Sequence, residues 1–91
     1  MELGLEGKVA IITGGSYGIG KAAAWRMSKE GARVAICARR QDVLDQAAAD
    51  IRAQTDGDVL TVSADVAVAA DVTRVVDATL ERFGRIDILV N

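Results

Sequence analysis

The chain has 91 residues, 51% of them hydrophobic and 26% charged, with 11 Lys and Arg against 13 Asp and Glu. The formal net charge of −2 and this apolar content exclude intrinsic disorder, and an acidic chain argues against a general nucleic-acid binder. One cysteine excludes an internal disulfide framework, and the absence of histidine argues against a zinc site.

The length allows one small domain. The longest apolar runs are about five residues, far short of the roughly 18 that cross a bilayer, so no membrane partner is expected. The N-terminus is acidic and lacks a basic-then-apolar signal design. Cys37, inside an apolar run, suits a reducing compartment, and the expected location is cytoplasmic.

Residues 8–13 form a short β-branched run that ends at glycines and predict a first strand. Residues 21–30, rich in Ala and charged side chains, predict a helix that stops at Gly31. Residues 33–38 predict a second buried strand. Residues 41–55 place Val43, Leu44, Ala47, Ala48 and Ile51 on one face at helical spacing, with Gly57 as the terminator. Residues 59–64 predict a third strand. Residues 69–83 align Val72, Val75, Val76, Thr79, Leu80 and Phe83 in one helical stripe that stops at Gly84. Residues 85–90 predict a fourth strand.

Short apolar strands alternating with helices imply an α/β fold. The expected architecture is a Rossmann-like doubly wound parallel sheet, in the order β-α-β-α-β-α-β, with strands arranged 3-2-1-4 and helices on both faces. Asn91 falls immediately after the fourth strand, which leaves an edge bare. Residues 1–91 are therefore expected to be the N-terminal part of a dinucleotide-binding domain that is incomplete at its C-terminal end.

The first strand runs into a loop with four glycines, Gly14, Gly15, Gly18 and Gly20, and then directly into a helix. The first-turn N–H groups of a helix have no intrahelical partner, and its dipole adds positive charge at that end, so such a loop suits a phosphate. Three phosphate-binding patterns compete for it. Gly15, Gly20 and Lys21 fit most of a P-loop, but Ala22 stands where Ser or Thr would hold Mg²⁺. Gly18, Gly20 and Ala23 fit a G-x-G-x-x-A dinucleotide fingerprint that starts late, four residues after the glycine ending the strand. The third fit, Thr13-Gly14-x-x-x-Gly18-Ile19-Gly20, resembles the nucleotide motif of the short-chain dehydrogenase/reductase family.

The resemblance extends along nearly the whole chain. Asp65 and Val66 after the third strand resemble that family's adenine-contacting acid and its neighbour. Arg85, Asp87 and the segment ending in Asn91 resemble the approach to its Asn-Asn-Ala-Gly segment, which brings Asn91 near the cofactor. The resemblance implies an oxidoreductase that moves hydride between a nicotinamide and a small-molecule carbonyl or alcohol, and a homo-oligomer when complete. The family's Ser and Tyr-x-x-x-Lys lie on later elements, so no catalytic residue is expected in this chain, and by itself it is expected to be inactive. Tyr17 and Lys21 have Tyr-x-x-x-Lys spacing, but they sit in the phosphate loop and are read as a loop residue and a first-turn residue.

The end of the second strand decides between NAD and NADP. The position where an acid would hold the ribose hydroxyls is Ala38, followed by Arg39 and Arg40. With no carboxylate to repel a 2′-phosphate and a guanidinium able to bind one, NADP is expected over NAD. Ser16 adds a hydroxyl or backbone N–H to the same phosphate. The residues leave two other readings open: a dinucleotide-binding module without catalysis, and a phosphate-loop NTPase. Trp25 is read as packing on the first helix and Cys37 as a small buried hydrophobe.

Overall fold

The computed structural model describes residues 4–15 and 18–91. The elements follow the expected order: β1 (Val9–Thr13), α1 (Gly18–Lys29), β2 (Arg33–Ala38), α2 (Gln41–Thr55), β3 (Val59–Ser63), α3 (Ala69–Phe83) and β4 (Ile88–Val90). All four strands are parallel, in the order β3-β2-β1-β4. The sequence switches direction at β1: two crossovers run outward to β3, and the third returns to β4 on the other side.

Strand side chains alternate between two cores, as a period of two requires. Ala10, Ile12, Val34, Ile36 and Val59 meet Ala24 of α1 and Leu44, Ala47, Ala48 and Ile51 of α2. On the opposite face, Ile11, Ala35, Cys37 and Val62 meet Val75 of α3. Two helices thus cover one face and one covers the other. No helix among the described residues is long and apolar enough to cross a membrane.

The boundaries correct the sequence reading in three places. Helix α1 opens at Gly18 rather than Lys21, so the later glycines of the loop already belong to its first turn. Helix α2 ends on Asp56, in the left-handed conformation at φ 55°, with its N–H donating to the Arg52 carbonyl. Asp tolerates that conformation, so Gly57 is not the terminator. A Cβ on Gly57 would fall 1.7 Å from Ser28 Oγ, and its role is to let α2 pass close to α1. Strand β4 begins at Ile88 rather than Arg85, and just before it Asp87 meets β1 twice, its N–H donating to the Val9 carbonyl and its carboxylate accepting the Val9 N–H.

Candidate functional site

The C-terminal ends of the parallel strands form one rim, and the described candidate residues cluster along it. Backbone hydrogen bonds hold the rim in register. Gly14 N–H donates to the Cys37 carbonyl at 2.9 Å, and Ala64 N–H to the Ala38 carbonyl at 2.8 Å. The Ser63 hydroxyl donates to the Arg39 carbonyl at 2.8 Å, fixing the chain as it leaves β2.

Gly14, Ala38, Arg39, Arg40, Asp65 and Val66 line a single cavity of about 360 Å³, together with Cys37, Val43 and Ala64. Its lining is small or apolar apart from Arg39, Arg40 and Asp65. Val43, Cys37 and Ala64 were not among the expected site residues. Val43 shares the helical spacing of the α2 core, but in the first turn of that helix its side chain faces the cavity.

The glycines are built into this corner. Gly14 has φ +67°, a conformation that favours glycine, and a Cβ there would meet nothing within 4 Å. A Cβ on Gly20 would lie 2.2 Å from the Gly14 carbonyl oxygen, so only glycine lets α1 start this close to the end of β1. Ile19 is 90% exposed, beside the helix N-terminus. Ser16 and Tyr17 lie outside the described residues.

The remaining expected residues occupy the other side of β1. Thr13 Oγ1 sits 3.3 Å from both the Val90 carbonyl and Asn91 Oδ1, joining the ends of β1 and β4. Thr13 and Asn91 line an apolar groove of about 330 Å³ between α3 and the sheet, which Val66 also reaches. Val66 and Cys37 line both recesses, and Asn91 does not line the Arg39 cavity.

Charged partners divide the site further. Asp65 Oδ1 accepts the Ala67 N–H at 2.9 Å, and the Asp65 N–H donates to Asp71 Oδ2 at 2.8 Å, so this acid is held by its own turn. The Arg40 guanidinium grips Asp42 at 2.7 and 3.2 Å. It holds that carboxyl below the usual carboxylate range. The exposed Arg39 side chain has no hydrogen bond or ion pair with the described residues. Burial pushes the Cys37 thiol up, which keeps it protonated and inert. Lys21 pairs with Asp50 of α2 at 2.6 Å, in a second recess that Gly18 also lines. Among the described residues no group of three or more His, Cys, Asp or Glu side chains could hold a metal ion.

A switch point with a glycine-cornered recess defines a nucleotide-binding α/β domain. The family model described as short chain dehydrogenase matches residues 8–91, and the chain belongs to that family. It is 47% identical over 87 residues to 11-beta-hydroxysteroid dehydrogenase A of Sesamum indicum, covering 96% of this chain and 25% of the relative. The crystal structure of L-sorbose reductase from Gluconobacter frateurii, complexed with NADPH and L-sorbose, superimposes with a TM-score of 0.95 at 45% identity, covering 100% of this chain and 35% of that one. The 3-ketoacyl-(acyl-carrier-protein) reductase from Brucella melitensis, complexed with NADH, superimposes with a TM-score of 0.84 at 44% identity, over 93% and 34% of the two chains. The chain therefore spans between a quarter and about a third of the length of these proteins.

Proposed function

We propose that residues 1–91 are the NADP(H)-binding portion of a short-chain oxidoreductase that moves hydride between the nicotinamide and a small-molecule carbonyl or alcohol. The catalytic Ser, Tyr and Lys are then supplied by later sequence, and the assembled protein is a cytoplasmic homo-oligomer. The reading rests on one observation above all: the cavity rim has Ala38 where an acid would stand, and next to it an Arg39 guanidinium with no hydrogen bond or ion pair among the described residues.

The residues fit the group. Gly14 leaves open space at the end of β1, Gly20 lets α1 start close to it, and the first turn of a helix suits a phosphate. Val43, Ala64 and Val66 offer apolar walls for an adenine, and Asp65 a carboxylate at its edge. Thr13, Gly14, Tyr17, Gly18, Ile19 and Gly20 would hold the pyrophosphate and ribose, Arg39 and Ser16 the 2′-phosphate, and Asn91 the ribose side beyond β1. When bound, the nicotinamide supplies the hydride chemistry, and this chain's part is to bind and orient. The NADPH complex of L-sorbose reductase supports NADP, whereas the NADH complex of the Brucella reductase keeps NAD as the alternative.

Arg39→Asp tests the reading by calorimetric titration of both cofactors. A hydrogen bond to a charged group is worth roughly 1.5–3 kcal/mol, so the NADP-to-NAD preference should fall by about tenfold or more. The wild-type chain alone should oxidise no NADPH with any ketone. Equal losses for the two cofactors would remove Arg39 as the discriminator, and turnover by this chain would refute the division of labour.

A further inference from the structure

The two arginines that follow β2 line the same cavity but are held differently. Arg40 sits at the N-cap of α2 with an extended backbone, φ −103° and ψ 115°, and makes no capping side-chain bond. Its guanidinium instead folds onto Asp42, Nη2 to Oδ2 at 2.7 Å and Nε to Oδ1 at 3.2 Å. This is the fork geometry that suits a carboxylate, and it would equally suit a phosphate. Asp42 lies in the first turn of α2, where the helix dipole also favours a negative charge. The Arg40 guanidinium that could meet a second phosphate is thus engaged by a carboxylate two residues away.

We propose that Asp42 is a specificity-determining residue that acts through Arg40. By occupying the guanidinium fork it keeps Arg40 from a ligand's 2′-phosphate, leaves Arg39 as the cation that discriminates, and so moderates the preference for NADP over NAD. The inference rests on the NADP reading above. Both partners of the pair are largely solvent-exposed, so it restrains without locking. Neutralising Asp42 removes the carboxylate from the Arg40 fork and a negative charge from beside that guanidinium.

The test compares 2′,5′-ADP with 5′-AMP, which differ only by the 2′-phosphate. Calorimetry is run on the wild-type chain, Asp42→Asn, Asp42→Asn with Arg40→Met, and Arg39→Met. Asp42→Asn should raise the 2′,5′-ADP-to-AMP affinity ratio about threefold, the scale of one exposed ion pair, and the double variant should lose that gain. A gain that persists without Arg40 overturns the proposal, because the effect would then be the field of Asp42 alone. An unchanged or lowered ratio in Asp42→Asn, with Arg39→Met still lowering it, overturns the proposal and leaves the NADP reading standing. A wild-type chain that binds both ligands equally removes both. The same substitutions, in a hybrid with residues 1–91 replacing the matching segment of L-sorbose reductase, give the ratio of kcat/KM for NADPH and NADH. That readout decides the matter if a variant chain is too unstable for calorimetry.

Discussion

At the scale of single residues, two close approaches shape the rim. Gly20 faces the Gly14 carbonyl, and a methyl group there would sit 2.2 Å from the oxygen and 2.8 Å from the carbonyl carbon, both backbone atoms that cannot swing aside. Gly20→Ala should therefore cost about 1–3 kcal/mol in urea unfolding followed by the single tryptophan, Trp25, and should weaken nucleotide binding as α1 moves off β1. A variant as stable as the wild type would show that the close contact is dispensable. Asp87 does for the opposite edge what the glycines do for the rim. Its Oδ2 accepts the Val9 N–H at 2.9 Å, and both its oxygens meet Arg85, at 2.8 and 2.9 Å. Arg85 first, and then the Val9 N–H, holds this carboxyl below the usual range. Its contribution is complete above the unfolded aspartate pKa of about 3.9 and is lost as pH falls through the lower folded value. Unfolding free energy measured from pH 6 downward should fall below about pH 4, and less steeply in Asp87→Asn, which keeps an acceptor but cannot titrate. Parallel curves would contradict the assignment. The glycines, Ala38 and Arg39 were legible in the sequence because each carries a mechanical or charge requirement at a fixed offset from a strand end. Val43 and the Arg40–Asp42 pair were not. The turn that brings Val43 over the cavity depends on how α2 lies against the sheet, and charges two residues apart on an α-helix do not ordinarily face each other.

At the scale of elements, strand existence and order followed from β-branched runs bounded by glycine, because such runs can be buried on both faces of a parallel sheet. Helix ends were less legible. The start of α1 is set by the loop that precedes it, and the end of α2 by an aspartate in a conformation more often taken by glycine. Helix α3 shows what periodicity leaves out. Val75, Thr79 and Phe83 of its expected stripe are buried, but Val72 and Leu80 remain 41% and 43% exposed. Periodicity gives the apolar face of a helix and not how much of that face a neighbour covers. Here α3 packs toward β2 and β3, and its other flank borders the open groove with Ile86 and Leu89. The two halves of the stripe should respond differently. Phe83, flanked by the Arg33 and Arg82 guanidiniums at 5.4 Å from its ring, is buried, and Phe83→Ala should cost about 3–5 kcal/mol in urea unfolding. Leu80→Ser should stay within about 0.5 kcal/mol of the wild type. Equal losses would mean that the outer flank of α3 is covered in solution.

At the scale of the molecule, one rim carries two recesses that share Val66 and Cys37. The Arg39 cavity is lined by polar and apolar groups in a form suited to an adenosine and its phosphates, whereas the α3 groove is almost wholly apolar. Relatives three to four times as long share this 91-residue architecture. The proposed division of labour gives this chain the nucleotide and later sequence the proton chemistry and the substrate pocket. The fold could be read from the chain because it depends on local pattern. The most direct test of the account is to titrate NADP⁺ into the ¹⁵N-labelled chain and follow every backbone amide. The account predicts shifts at Gly14, Gly18, Gly20, Ala38, Arg39 and Asp65, with NAD⁺ giving the same pattern only at higher concentration and a weaker response at Arg39. Shifts confined to the Lys21–Asp50 side or to the outer flank of α3, with Ala38 and Arg39 silent, would contradict it.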